Sequence, residues 1–302
     1  MPLSKERVRA ARAFIERSAR PLDRALVSSR LGETSTEAAL EALAGFQNPD
    51  GGFGRGLEPD IQSSASSAIA TSIGLRLLAR LGAPGDHPMV AAVMRWLSGA
   101  LDAERGVWPI VPEAIEDAPH APWWTWSEDL AVPWNGFRLN PTAEILAWLY
   151  RWPDAAPAAM VATVEAGLRQ TLEDASRIEG AYDLKCAARL AEAPGAPADI
   201  AEATKALVIS SWATHDPADE HIAPFDIAPA PSSVFAATVA DRTQPALAEL
   251  AAQQQEDGGW IPFWDWSFVD AAAWDRARGD WRGRLTREAL ETLAAWGEAP
   301  GL

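Results

Sequence analysis

The stretch Leu43-Ala44-Gly45-Phe46-Gln47-Asn48-Pro49-Asp50-Gly51-Gly52-Phe53 returns, position for position, as Leu250-Ala251-Ala252-Gln253-Gln254-Gln255-Glu256-Asp257-Gly258-Gly259-Trp260. Both read Leu, three residues, Gln, two residues, Asp-Gly-Gly and an aromatic ring. This is the chemistry of a helix end running into a tight turn. A glutamine amide at a helix end bonds orphan carbonyls and the free N–H groups of the next helix at once. Asp accepts bonds from nearby backbone N–H groups, and Gly takes a positive φ at no steric cost. Phe53 or Trp260 then plugs the turn, so Asp50 and Asp257 are read as structural.

A weaker third copy, residues 97–108, keeps Leu97, Asp102, Gly106 and Trp108 but carries Leu101 where the glutamine belongs. Setting Gln47, Leu101 and Gln254 equivalent gives offsets of 54 and 153, the second being three times 51. A unit of about fifty residues, two helices and a turn, therefore fits the chain about six times, with two copies decayed beyond recognition. Between the copies, apolar residues recur at helical spacing in 66–81, 90–101, 141–150 and 243–255, and few stretches alternate with period two. Thr34-Ser35-Thr36-Glu37 has the form of a capping box, and Asn140-Pro141 that of a cap followed by proline in the first helical position. Gly82, Gly195 and Gly297 follow apolar helical runs as stops. The tally is about twelve helices.

The Gln-x-x-Asp-Gly-Gly-aromatic pattern resembles the QW motif of squalene–hopene cyclases, oxidosqualene cyclases and the β subunits of protein prenyltransferases. The resemblance implies an all-α fold, an α/α toroid of about six helical hairpins in which an inner helix ring sits inside an outer one. It implies one domain over residues 1–302, paired helices closing into a ring over about 35–297, Gln47 and Gln254 in equivalent positions of different pairs, and a reaction cavity at one end of the inner ring. In that family the motif is structural, so it speaks to scaffold and not to reaction. Family members that begin by protonation carry Asp-x-Asp-Asp, and those that ionise a diphosphate carry Asp-Asp-x-x-Asp; neither string occurs here. The zinc ligands of the prenyltransferases include a cysteine, and the single cysteine here, Cys186, has no evident His or Asp partner in sequence. Neither a metal nor a cofactor is expected.

Composition narrows the classes further. Hydrophobic residues make up 48 % and charged residues 23 %, the mixture of a globular chain with a real core. No apolar run is long enough to span a bilayer and the N-terminal residues lack a secretory apolar stretch, so a cytoplasmic protein without stable membrane insertion is expected. One cysteine excludes an internal disulfide and, within the apolar segment 181–190, reads as a small buried hydrophobe. A net charge of −16 repels phosphate backbones, which argues against nucleic acid as a partner. Fifteen tryptophans against two tyrosines point both to walls that present π faces and to packing rivets.

Three clusters carry candidate chemistry. After the first repeat, Gly54-Arg55-Gly56-Leu57-Glu58-Pro59-Asp60-Ile61-Gln62-Ser63 leads into an expected helix over 63–72. Either Asp60 or Ser63 caps that helix, or Asp60 is a proton donor whose acidity is set by Glu58 and Arg55. The second cluster, His120 to Asp129 with Trp134-Asn135-Gly136, falls in a stretch of little helical pattern over 103–139, read as a lid or binding loop; Trp123, Trp124 and Trp126 would bind substrate, and Glu128 and Asp129 add carboxylates. The third follows the last repeat: Trp264-Asp265-Trp266 places a carboxylate between two indoles. Either the aromatic walls desolvate Asp265 and favour its protonated form, or the turn is a packed corner. His215-Asp216 with His221 and Asp226 reads as a solvated acidic loop and not a metal site, because Pro217 and Pro224 break helical presentation.

The expected catalytic residues are thus Asp60, Glu58 and Asp265, and the expected substrate-binding residues Trp123, Trp124, Trp126, Trp264 and Trp266. With the resemblance, they suggest a small terpenoid-cyclase-like enzyme that protonates, cyclises, hydrates or dehydrates an isoprenoid, because a carbocation over an indole face gains roughly 0.5–2 kcal/mol per contact. A carbohydrate-active or carbohydrate-binding toroid is the alternative, since indole faces also stack on sugars and paired carboxylates perform glycosidic chemistry. A non-catalytic binding protein on the same scaffold is the third reading.

Overall fold

The computed structural model describes residues 2–127 and 139–300. Among them the chain is all-α, with twelve α-helices, two 3-10 turns and no β-strand. The helices are α1 (Lys5–Ser18), α2 (Pro21–Arg30), α3 (Thr36–Ala44), α4 (Ala68–Arg80), α5 (Pro88–Ala100) and α6 (Leu139–Leu149). They continue with α7 (Ala158–Asp174), α8 (Ala181–Ala191), α9 (Ala198–Ala213), α10 (Pro224–Ile227), α11 (Ala240–Ala252) and α12 (Ala271–Ala295). The chain divides into two compact units, residues 46–222, and residues 1–45 together with 223–302.

In the unit of residues 46–222, α4, α6 and α8 lie side by side, with α5 packed on α4, α7 on α6, and α9 on both α8 and α7. α6 explains its central place by composition: of its eleven residues only Asn140 and Trp148 are not buried. In the other unit, α1 packs on α12 through the stripe Val8, Ala11 and Ile15, spaced at i, i+3 and i+7, which meets Leu290, Leu293, Leu247 and Trp260 in one core.

The three copies of the turn are one structure. The residue after the glutamine position donates its N–H to the carbonyl just before the aromatic residue: Asn48 to Gly52 at 2.9 Å, Gln255 to Gly259 at 2.8 Å and Asp102 to Val107 at 2.9 Å. The third copy is longer by one residue. Gln47 Nε2 donates to Gly51 O at 2.9 Å and to Met89 O at 3.0 Å; Gln254 Nε2 donates to Gly258 O at 2.9 Å and to Arg7 O at 3.0 Å. Three residues beyond each acceptor the turn glycine touches the same helix, where a Cβ on Gly51 would lie 2.2 Å from Ala92 O and one on Gly258 2.3 Å from Ala10 O. Both glycines hold positive φ, 98° and 95°. Gln47 and Gln254 are therefore equivalent down to the helix position they bind, and Asp50 and Asp257 accept the N–H two residues on, at 2.9 and 3.1 Å.

The local signals meet the structure unevenly. Gly82, Gly195 and Gly297 all sit at positive φ where helices end. The capping box at Thr34 does not form: Thr34 N–H still bonds Ser28 O in the exit of α2, so α3 starts at Thr36 behind Ser35. The helix expected over 63–72 starts only at Ala68, because Ser67, and neither Asp60 nor Ser63, is its N-cap, accepting from Ala70 N at 3.2 Å. Asn140 has non-helical φ and ψ, so regular helix in α6 begins at Pro141.

Candidate functional site

Residues 57–63 form a buried loop instead of a helix entrance. Arg55 and Gly56 hold φ of 55° and 75°, which turns the chain inward. Leu57, Glu58, Asp60, Ile61 and Ser63 are all buried, with Asp60 3 % and Glu58 7 % exposed. This loop is tied to the tryptophan segment through backbone: Gln62 N donates to Pro119 O at 3.0 Å and Ala121 N to Asp60 O at 2.9 Å, framing an isolated antiparallel bridge between Ile61 and His120. Beneath it lies an apolar cluster of Ile61, Ile110, Val111 and Ile115, against which Ile69, Trp124 and Trp126 pack. The His120 ring is fixed by Nδ1 donating to Ala118 O at 2.8 Å, with Nε2 3.5 Å from Glu116, whose carboxylate also accepts the Trp126 N–H. Two of the three candidate clusters thus meet within one unit. Trp123 stands 44 % exposed beside them. Arg55, expected near Asp60, directs its Nε to Asn48 Oδ1 at 2.7 Å. Glu128, Asp129 and Trp134 lie outside the described residues.

The third cluster belongs to the other unit and differs from expectation. Asp265 is exposed, not desolvated, and accepts Ser267 N at 2.7 Å. Hydrogen bonds from Ser267 hold its carboxyl below the usual carboxylate value, the opposite of the raised value expected from flanking indoles. The flanking indoles pack on other rings: Trp266 is fully buried and tilted against Trp274 with ring centres 5.6 Å apart, while Trp264 meets Phe263 and Trp281 edge-on at 4.9 Å. Of the two readings of this turn, the packed corner is the one found. Trp108, Trp152 and Trp260 are likewise rivets, each donating its indole N–H to a backbone carbonyl, those of Leu97, Ala83 and Leu250.

Two buried ionic clusters had not been expected. On α4, α6 and α8, Glu144 is held by Arg189 at 2.8 Å and Arg76 at 3.6 Å, with Trp148 Nε1 donating to it at 3.4 Å and the Cys186 thiol at 3.7 Å. Burial pushes the Glu144 carboxyl up, but the two guanidiniums and these hydrogen bonds outweigh it and the group lies below its ordinary value. Burial, helped by Glu144, raises the Cys186 thiol well above its ordinary value, which keeps it protonated and unreactive. In the other unit, Arg287 of α12 reaches Asp23 at 3.0 Å, Glu291 at 2.9 Å and Glu288 at 3.1 Å, and Arg20 meets Asp23 at 2.9 Å. The one signal in sequence for either cluster is a charged residue standing inside an apolar helical run, as Glu144 does in 141–150.

In the loop after α9, Asp219 bridges His221 at 2.8 Å and His215 at 3.5 Å. Among the described residues no group of three or more His, Cys, Asp and Glu is arranged to hold a metal, and no helix is long and apolar enough to cross a membrane. Compared with protein-family models, with curated proteins and with solved structures, the chain matches none.

Proposed function

We propose that the chain is a small terpenoid-cyclase-like enzyme on an α/α-toroid scaffold, with Asp60 as the acid that protonates an isoprenoid and initiates its cyclisation, hydration or dehydration. The observation that supports this reading is the union of the Glu58–Asp60 loop with the Trp124–Trp126 segment over an apolar floor. Burial disfavours the charged form of a carboxyl, and a proton donor to an alkene needs that environment. Glu58, two residues away and also buried, is the second carboxyl of the loop. The indoles of Trp123, Trp124 and Trp126 stabilise developing cationic charge. Asp265 is the poorer proton donor, since its exposed, hydrogen-bonded carboxyl gives up its proton more readily than usual and does not hold one to deliver.

Incubation with linear isoprenoid alkenes and alcohols in deuterated water tests this. The expected result is a cyclised or hydrated product carrying one carbon-bound solvent deuterium, or, from an alcohol, a dehydrated product with release of water, formed by the wild type and not by Asp60→Asn of equal melting temperature. Cyclisation or hydration without carbon-bound deuterium, or any turnover retained by Asp60→Asn, would sink the acid assignment. A carbohydrate ligand is the second reading, favoured by the exposed indole of Trp123 beside the Glu58–Asp60 loop; conversion of glycans with none of isoprenoids would favour it.

A further inference from the structure

Helices α1 and α2 share a cleft of about 410 Å³, large enough for a small organic molecule. Arg9, Arg12 and Glu16 line it from one face of α1, at i, i+3 and i+7, and Arg24 lines it from α2. Two of these three guanidiniums are held in place. Arg12 passes over Glu16, the partner its own helix offers at i+4, and pairs instead with Glu33, while Arg24 Nη1 donates to the Glu16 carbonyl oxygen at 3.3 Å. Each contact engages one guanidinium nitrogen and leaves the rest of the fork. Arg9, which is exposed, makes no hydrogen bond or ion pair among the described residues. Apolar lining comes from Ile15 and Val27, both part of the buried core of this unit. Three arginines against Glu16 and Glu33 leave the cleft with one positive charge, although acidic residues outnumber basic ones 42 to 26 in the whole chain.

We propose that this cleft binds a small monocarboxylate with an apolar body, its carboxylate on the guanidinium of Arg9 and its body against Ile15 and Val27. A guanidinium presents donors in a planar fork that matches the two oxygens of a carboxylate. A single excess positive charge suits a monoanion, whereas a phosphate dianion would leave the cleft negative beside Glu16 and Glu33. Arg12 and Arg24 flank the carboxylate and offset those two glutamates. The long-range field of a chain of net charge −16 repels anions, so capture depends on forked contact and apolar burial together. The cleft belongs to the unit of residues 1–45 and 223–302 and the Glu58–Asp60 loop to the other, and binding here goes beyond the acid at Asp60 without depending on it.

Titration of the full chain with phenylacetate is the test, with benzyl alcohol as the uncharged analogue and inorganic phosphate as the anion without an apolar body. Saturable binding of phenylacetate is expected, with the methyl resonances of Ile15 and Val27 shifting along the same curve and both comparison compounds binding at least about tenfold more weakly. Arg9→Gln removes an exposed side chain without a partner, so the fold is kept, and binding should weaken about tenfold. Ala13→Glu, an exposed residue of the same lining, reverses the charge of the cleft and should abolish binding. Arg30→Gln removes an equal charge from the exposed end of α2, outside the cleft, and should bind as the wild type does. Asp60→Asn should also bind normally, which separates this site from the acid. Absence of saturable phenylacetate binding at millimolar concentration, saturation with both methyl resonances unmoved, or phosphate or benzyl alcohol binding as tightly as phenylacetate overturns the proposal. So does equal weakening in Arg9→Gln and Arg30→Gln, which would reduce the effect to net charge.

Discussion

The backbone N–H of Trp260 donates to the hydroxyl of Thr286 at 3.0 Å, and the same bond joins Phe53 to Thr71 at 3.1 Å and Trp108 to Thr142 at 3.4 Å. All three threonines are completely buried. Each copy of the turn is therefore clamped at both ends, by the side chain at its glutamine position or by its glycine on one helix, and by a threonine on another. A buried N–H without a partner costs about 1–3 kcal/mol. Thr286→Val, which keeps the shape and removes the acceptor, should lower the denaturation free energy by that amount, and Thr71→Val and Thr142→Val should do likewise. Unchanged denaturation midpoints in all three would mean that the hydroxyls are incidental.

Two glycines at positive φ, the helix stop Gly82 and the turn residue Gly258, should separate conformational strain from collision. Gly82→Ala meets only the strain of a positive φ, since no atom lies within 4 Å of the new Cβ, and should cost about 1 kcal/mol. Gly258→Ala adds a Cβ 2.3 Å from Ala10 O and 2.5 Å from its carbonyl carbon. Its cost should exceed that of Gly82→Ala clearly, on the order of 3 kcal/mol or more in urea denaturation. Equal losses would show that α1 gives way freely beneath the turn.

Asp60 and Asp265 are predicted to behave differently on substitution. Asp265→Asn alters an exposed turn and should change stability by no more than about 0.5 kcal/mol. Asp60→Asn should leave the melting temperature near that of the wild type while abolishing incorporation of solvent deuterium into product. Matching activity losses in both variants would contradict the assignment of the acid to Asp60.

Two aspartates near Arg20 should give opposite pH dependence. For Asp23, burial pushes the carboxyl up but Arg20 and Arg287 outweigh it, so its folded value lies below the ordinary 3.8. Its stabilising contribution is complete above the unfolded value and is lost as pH falls through the lower folded one. Asp280 is raised above 3.8, first by burial and then, after an opposing contribution from Arg20, by the charge of Asp23. The folded state then holds its proton longer than the unfolded chain, so the contribution of this group declines as pH rises from the unfolded value through the folded one. Urea denaturation between acid and neutral pH should show Asp23→Asn losing most relative to wild type at neutral pH, and Asp280→Asn gaining there and nowhere below the unfolded value. The same sign for both variants at neutral pH would refute the pairing.

Much of the fold could be read because it depends on short-range chemistry. Asp257 reaches a backbone N–H only two residues away, Gly258 needs its φ whatever surrounds it, and the apolar spacing of 243–255 is set within a few turns. The boundary errors arose where two local preferences compete for one residue: Thr34 can close α2 or cap α3, and it closes α2. The site was read in part. Glu58, Asp60 and the tryptophan segment were named as chemistry, but nothing in either stretch indicated that Ile61 and His120 would pair across nearly sixty positions.

Local geometry and hydrogen bonding over a handful of residues were enough for the sequence by itself to determine an all-α chain, a repeated Gln–Asp-Gly-Gly turn and the equivalence of Gln47 and Gln254. Only the tertiary structure decided that Asp265 is exposed and ionised more readily than usual, that Thr71, Thr142 and Thr286 clamp the turns, and that Arg76, Glu144 and Arg189 share one charge cluster. Burial and ion pairing depend on which remote helices come to lie side by side, and neighbours along the chain carry no record of that choice.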